Sequence, residues 1–216
     1  MDVCLSLASK ARSFRVLDHH VSAQQALEGL PFFHFDITRS GATLAWQDLH
    51  GDTPPPLFVQ CVEDRDLYRW SVDGSQDILH VLDTLPHDFQ QWGQLASRLE
   101  QDPESVRHAG ALKRIRFEAA ADRLLPHACP VEMGGLKGLS VNAPMEFADH
   151  VGNALAEQVD FGFTWYLDCE GRVHASWRSK GPNVIPLAES FGGGGHPRAA
   201  GARLTIAQLA EVLGLG

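Results

Sequence analysis

An aspartate and two histidines stand side by side at Asp18, His19 and His20, directly behind the apolar pair Val16 and Leu17. Carboxylate oxygen and imidazole nitrogen suit a divalent ion such as Mn2+, and an acid beside a ligating histidine fixes its tautomer. The plainer reading is a polar strand end. A second concentration of chemistry is the run SFGGGGHPRAAG, Ser190 to Gly201. Gly193, Gly194 and Gly195 precede His196, and Pro197 suits the first position of a helix. Glycines let a ligand approach backbone amides closely, and a helix opening behind them would favour an anion. A tight turn between closely packed elements would need the same glycines. Upstream, WRSKG supplies Arg178, Ser179 and Lys180. Arg178 has the fork geometry for bidentate phosphate binding; its alternative is a solvated charge. A third group is EDRD, Glu63 to Asp66, with two acids, Asp64 and Asp66, that on their own fit a solvated helix end.

These residues need elements to hold them. Val3, Leu7 and Ala11 recur four apart, which predicts a helix over Asp2 to Arg12. Ser13 to Leu17 reads as a strand, so Asp18, His19 and His20 fall at a strand's carboxyl end, where α/β sheets bind ligands. Pro31 to Phe35 reads as a second strand. Ser40 is a candidate N-cap for a helix through Leu49. Gly51 to Pro56 is a loop. From Asp77 to Ala128 the pattern is helical, with Pro103 suited to open a helix running from Glu104 to about Leu125. Beyond it, Pro130 to Val141 predicts two short strands around Gly134 and Gly135, and Ala143 to Val159 a helix. Phe161, Phe163 and Trp165 alternate with Gly162, Thr164 and Tyr166. After the turn DCEG, Val173, Ala175 and Trp177 alternate with His174, Ser176 and Arg178, the period-two pattern of a hairpin.

Composition narrows the classes. The chain has 216 residues, 44% of them hydrophobic, and a net charge of -9. That length and apolar content allow one large or two small domains with real cores. The acidity argues against gripping long nucleic acid through many phosphates, yet allows a local basic pocket for a small phosphorylated substrate. Cys4, Cys61, Cys129 and Cys169 are scattered, without a C-x-x-C pair, which fits reduced thiols in a cytoplasm. No apolar run reaches membrane-spanning length.

Taken together, LDHH, SGATLAW, EDRDL, WRSKG and GGGGHPRAAG, in that order, resemble the DHH-family phosphoesterases with a DHH-associated C-terminal domain. The resemblance implies an α/β fold: the C-terminal part of a parallel-sheet DHH domain over 1–85, a helical connector over 86–126, and a smaller α/β domain over 127–216. It also implies a metal-dependent phosphoesterase using two Mn2+ ions on a nucleotide or short oligonucleotide. In that scheme His19 and Asp64 are metal ligands, with Asp66 competing for the place of Asp64. Asp18 supports His19, and His20 faces the substrate phosphate. Arg178, Ser179, Gly193, Gly194, Gly195 and His196 bind substrate. The expected setting is cytoplasmic, without membrane, and compatible with a homodimer.

One departure matters. Family members carry an earlier His-x-Asp-x-Asp run that supplies most ligands of the first metal, and this chain contains none. The run Asp149 to Val151 lies in the wrong domain, and Asp2 sits in a predicted helical turn. The expectation is therefore an N-terminally truncated, impaired chain holding at most one ion weakly. The alternative is a non-catalytic nucleotide-binding or interaction protein. A manganese-dependent inorganic pyrophosphatase is disfavoured by GGGGHPRAAG.

Overall fold

A computed structural model describes residues 2–215, with the side chains of Asp2 and Ser22 excepted. The reading of Asp2 and of the start at Met1 therefore concerns groups outside the described residues. The chain divides into two compact units, Met1–Ile115 and Arg116–Gly216.

The first unit is helical around a small sheet. Helix α1 (Asp2–Lys10) leads to strand β1 (Val16–Asp18), helix α2 (Val21–Leu27) and strand β2 (Phe33–Phe35). β1 and β2 pair in parallel, Val16 opposite Phe33 and Asp18 opposite Phe35. The parallel sheet expected here is this one pair. Helix α3 (Gly41–His50) starts where the sequence places it, because the Ser40 hydroxyl accepts the Thr43 amide. Helices α4 (Leu57–Asp66), α5 (Ser75–Leu82), α6 (Phe89–Gln101) and α7 (Pro103–Ala121) follow. Pro103 opens α7 as expected, and a 3-10 turn over Asp122–His127 replaces its predicted last turn.

The segment read as a helical connector, 86–126, also contributes to a core. Leu95, Leu99 and Val106 are buried in one cluster with Cys61, Ile78, Leu79 and Val81. The boundary between the units falls inside α7 rather than at its ends. Cys61 packs in this cluster, and burial pushes its thiol up to about 11, which makes it unreactive. All four cysteines are free thiols.

The second unit is a six-stranded sheet of order β3-β4-β5-β6-β8-β7. Its strands are β3 (Cys129–Met133), β4 (Leu136–Asn142), β5 (Phe161–Leu167), β6 (Val173–Arg178), β7 (Gly194–His196) and β8 (Ala199–Leu204). Only the β4–β5 pairing is parallel. Gly134 and Gly135, both at positive φ, make the β3–β4 turn. Helix α8 (Ala148–Ala156) is shorter than predicted, since Pro144 and a 3-10 turn over Met145–Phe147 come first. The core lies on the face of Phe161, Phe163, Val173, Ala175 and Trp177. This is the alternation read from the hairpin, with His174, Ser176 and Arg178 on the other face. No helix among the described residues is long and apolar enough to cross a membrane.

Gly110 on α7 shows how closely the first unit packs. A Cβ there would lie 1.9 Å from the Asp77 carbonyl of α5. Glycine to alanine inside a helix ordinarily stabilises by up to about 1 kcal/mol. Here the sign should reverse, with Gly110→Ala destabilising by about 1–3 kcal/mol through overpacking, read as a lower urea midpoint. An unchanged or higher midpoint would show that α5 and α7 yield.

Candidate metal centre

The carboxyl ends of β1 and β2 lie side by side, and the Asp36 amide donates to the Asp18 carbonyl at 3.2 Å. Asp18 then folds back on its own chain. Its Oδ1 accepts the amides of His19 (2.7 Å) and His20 (2.9 Å) and contacts His20 Nδ1 at 2.7 Å. This short-range capping is what aspartate does at a turn. Burial alone would raise the Asp18 carboxyl; the hydrogen bonds from His20 and His19 outweigh it and hold the group below the usual carboxylate value. With Asp18 ionised, His20 carries its proton on Nδ1 and presents Nε2 as the lone-pair nitrogen. All the Asp18 contacts fall on Oδ1, so among the described residues Oδ2 is the oxygen open to an ion.

His19 is 5% exposed. Its ring meets that of His20 edge-on, with centroids 4.3 Å apart. One donor atom each from Asp18, His19 and His20 falls within a 4.8 Å cluster. One oxygen and two nitrogens fit a borderline divalent ion and leave coordination positions for water or substrate.

The acid that reaches this cluster is Asp66. Its Oδ2 lies 3.4 Å from His19 Nε2, and its side chain is 43% exposed. The expectation that Asp64 faces His19 is corrected by the helix that carries both. Two residues apart on an α-helix means about 200° of rotation, so Asp64 and Asp66 point to opposite sides. Asp64 shares the inward face of α4 with Cys61, three residues earlier, and is 2% exposed. Its Oδ1 accepts Ser71 N (2.7 Å) and Ser71 Oγ (3.0 Å); its Oδ2 accepts Val72 N (3.1 Å) and Ser75 Oγ (2.6 Å). Nothing of that carboxylate is left for an ion.

Asp64 instead organises the turn after α4. Its carbonyl also accepts the Arg69 amide at 2.9 Å. Within that turn Tyr68 and Trp70 take left-handed backbone angles, φ 53° and 51°. Such strain persists only where surrounding bonds over-determine the chain. Glu63, the neighbour of Asp64, is buried and was not singled out from the sequence. Its Oε1 contacts Arg39 Nη1 (3.2 Å) and Arg69 Nη1 (3.5 Å), and its Oε2 accepts the Ser40 amide at 3.0 Å. An open recess of about 610 Å3 beside Phe14, Leu17, Phe32 and Leu44 contains none of the metal donors.

In the second unit the glycine run opens no helix. Gly194–His196 is β7, an edge strand that returns through Pro197 and Arg198 into β8. Close packing explains two of its glycines: a Cβ on Gly193 would lie 2.1 Å from the Gly201 carbonyl, and one on Gly195, at φ 144°, 2.5 Å from the Ala199 carbonyl. Arg178 and His196 both pair with Ala199, so they leave the same face of the sheet with a small residue between them. Two strand spacings put their backbones about 10 Å apart. Arg178 is already engaged, through Nε with Asp149 Oδ1 at 2.8 Å and through Nη1 with Ser176 Oγ at 2.7 Å. Ser179 is buried and its hydroxyl donates to the Pro182 carbonyl, so it shapes the turn. In the run Asp149 to Val151, Asp149 holds Arg178, His150 contacts Asp122 at 2.8 Å, and Val151 is core.

Comparison with known proteins finds likeness over part or most of the chain. Residues 146–215 match the DHHA1 domain. The chain is 26% identical over 209 residues to the uncharacterized protein R106 of Acanthamoeba polyphaga mimivirus, covering 91% of this chain and 49% of R106. It thus spans about half the length of the curated relative it matches. Among solved structures, an exopolyphosphatase-related protein from Bacteroides fragilis aligns with TM-score 0.50 and 14% identity, over 93% of this chain and 62% of that one. The pGpG-specific phosphodiesterase PggH of Vibrio cholerae aligns with TM-score 0.48 and 16% identity, over 93% and 77%. At such identities the first of these likenesses shows the fold alone. The chain is an α/β protein whose residues 146–215 match the DHHA1 domain.

Burial alone would raise the Asp64 carboxyl, and its hydrogen bonds from Ser75, Ser71 and Val72 outweigh that and lower it. A lowered carboxyl contributes stability above its unfolded value and loses it as pH falls through the folded value. Asp64→Asn should therefore cost about 1–3 kcal/mol at pH 7, and the gap to wild type should narrow below about pH 4. Urea midpoints at a series of pH values check this; a gap that widens in acid would contradict it.

Proposed function

We propose that this chain is a metal-dependent phosphoesterase of the DHH type acting on a nucleotide or short oligonucleotide. The observation that carries the reading is the Asp18–His19–His20 cluster, joined by Asp66, at the carboxyl ends of β1 and β2. The DHHA1 match over 146–215 and the B. fragilis fold likeness support it. Mn2+ is the ion proposed. When bound, it supplies Lewis-acid stabilisation of phosphoryl oxygens.

His19 and Asp66 are the proposed protein ligands; Asp18 shares a donor cluster with His19 and His20, which Asp66 meets through His19. Asp18 Oδ1 orients the His20 ring through Nδ1, and Nε2 is the nitrogen proposed to act on a phosphate oxygen. Arg178 and His196 form the proposed anion-binding face of the C-terminal unit, with Asp149 restraining Arg178. The setting proposed is cytoplasmic, and the partner a small phosphorylated molecule.

The chain's own donor set bears on its rate. The sequence holds no His-x-Asp-x-Asp run, and among the described residues one donor cluster is found, whereas a paired clamp on attacking and leaving oxygens needs two ions. A nucleotide-binding role without efficient turnover is the second reading, and that single-ion set is what favours it.

Mn2+ titration followed by electron paramagnetic resonance should give one site per chain, weakened at least tenfold by His19→Ala or Asp66→Asn. Hydrolysis of a generic phosphodiester and of short oligonucleotides with Mn2+ should run below about 1 s⁻¹, the slow end of ordinary enzymes. Turnover at ordinary rates that survives His19→Ala would place the chemistry elsewhere.

A further inference from the structure

We infer that Arg39 and Arg69 form an anion-recognition pair on the rim of the metal cluster, gripping the phosphate oxygens of the substrate. Three observations place the pair. First, both guanidiniums converge on one atom, Glu63 Oε1, at 3.2 and 3.5 Å, and each arginine side chain is still about two-fifths exposed, 42% and 43%. One buried carboxylate shared by two guanidiniums leaves one positive charge unmatched within the trio.

Second, the forks are only partly used. Arg39 engages through Nη1 alone, and Arg69 through Nη1 and through Nη2 to the Thr38 carbonyl at 2.5 Å. Among the described residues, Nε and Nη2 of Arg39 and Nε of Arg69 have no partner. Donors in that fixed geometry match a phosphate. Asp36, on the same turn, is held ionised by the Thr38 amide (2.8 Å) and hydroxyl (2.6 Å) on its Oδ1, and its charge partly offsets that of Arg39, so Arg69 carries the larger share of the unmatched charge.

Third, the location is the carboxyl end of the β1–β2 pair. Thr38 and Arg39 follow β2 directly, and Asp36 is bonded to Asp18. Arg69 lies three residues beyond Asp66, on the turn that the buried Asp64 holds. Glu63 fixes the two arginines from behind, with its second oxygen on the Ser40 amide. A surface ion pair needs no such buried brace, and gains little from one. An anion lying against the pair would add charge-assisted bonds without moving it.

The inference rests on the phosphoesterase reading for the identity of the substrate, but the test separates the two. The probe is inorganic pyrophosphate, added to the full 216-residue chain in EDTA, so that no metal contributes. Amide signals of Thr38, Arg39, Ser40 and Arg69 should shift saturably. Arg39→Ala and Arg69→Ala should each weaken binding about tenfold or more, the scale of a lost charge-assisted bond. Arg98→Ala, which removes an exposed charge elsewhere, should leave it unchanged. If either alanine variant fails to fold, Arg39→Lys and Arg69→Lys keep the charge beside Glu63 and should still weaken binding for want of the fork.

No saturable binding below about 10 mM, shifts confined to residues 174–203, or unchanged affinity in the arginine variants would each overturn the pair. His19→Ala should lose Mn2+ and keep pyrophosphate binding in EDTA. Absence of a Mn2+ site in the unaltered chain, with the arginine effect intact, would sink the phosphoesterase reading and leave the anion pair standing.

Discussion

A carboxylate taken out of water stays charged only when hydrogen bonds replace the solvent. Asp64 is held by four of them, and the N-terminal site depends on that arrangement. Its two oxygens gather Ser71, Val72 and Ser75 into one turn. The helical rotation that sends Asp64 inward sends Asp66 outward to His19. Further along the same turn the chain delivers Arg69. A residue whose type suggests a ligand therefore shapes the surroundings of the ligands, and the exposed acid two places later meets the histidine.

Asp18 plays the matching part on the sheet side. One of its oxygens ties down the amides of His19 and His20 and the Nδ1 of His20, which fixes the His20 imidazole and the backbone that carries His19. Preorganisation of this kind lowers the ordering cost of binding. Glu63 applies the same principle to cations, holding two guanidiniums from behind so that they need not be ordered again when an anion arrives. Three buried or half-buried carboxylates, Asp18, Glu63 and Asp64, thus serve geometry, while the exposed Asp66 and the exposed arginine edges face the solvent.

Much of this was legible in the sequence wherever the signal was local. Ser40 at the head of SGATLAW, Pro103 at a helix start, Gly134 and Gly135 at a turn, and the alternation on either side of DCEG each act within a few residues, and each element forms close to where it was read. The choice between Asp64 and Asp66 was open to the same reasoning, since Cys61 and Asp64 share a helical face. A likeness to EDRDL favoured the wrong partner. The glycine run was not legible. Four glycines, a histidine and a proline fit a loop opening a helix as well as they fit an edge strand, and only the pairing with Ala199 to Gly201 decides. The brace of Glu63 on Arg39 and Arg69 spans 24 and 6 residues in sequence, a separation that no local pattern encodes.

Electrostatics connects these parts. On a chain of net charge -9, a phosphate is repelled at long range, so its binding must come from short-range donors arranged to outweigh that field. Such donors are found in two places, the partly used forks of Arg39 and Arg69 in the first unit and the face shared by Arg178 and His196 in the second. In each, a carboxylate lies against the guanidinium: buried Glu63 in one, exposed Asp149 in the other. The difference in burial sets the difference in behaviour. Glu63 is locked by the Ser40 amide and cannot leave, so it acts as a fixed brace. Asp149 is open to water, and its bond to Arg178 is of the exposed kind that contributes little. A phosphate bound as proposed would take the place of Asp149 at small cost, whereas at Arg39 and Arg69 it would only have to add to bonds already made.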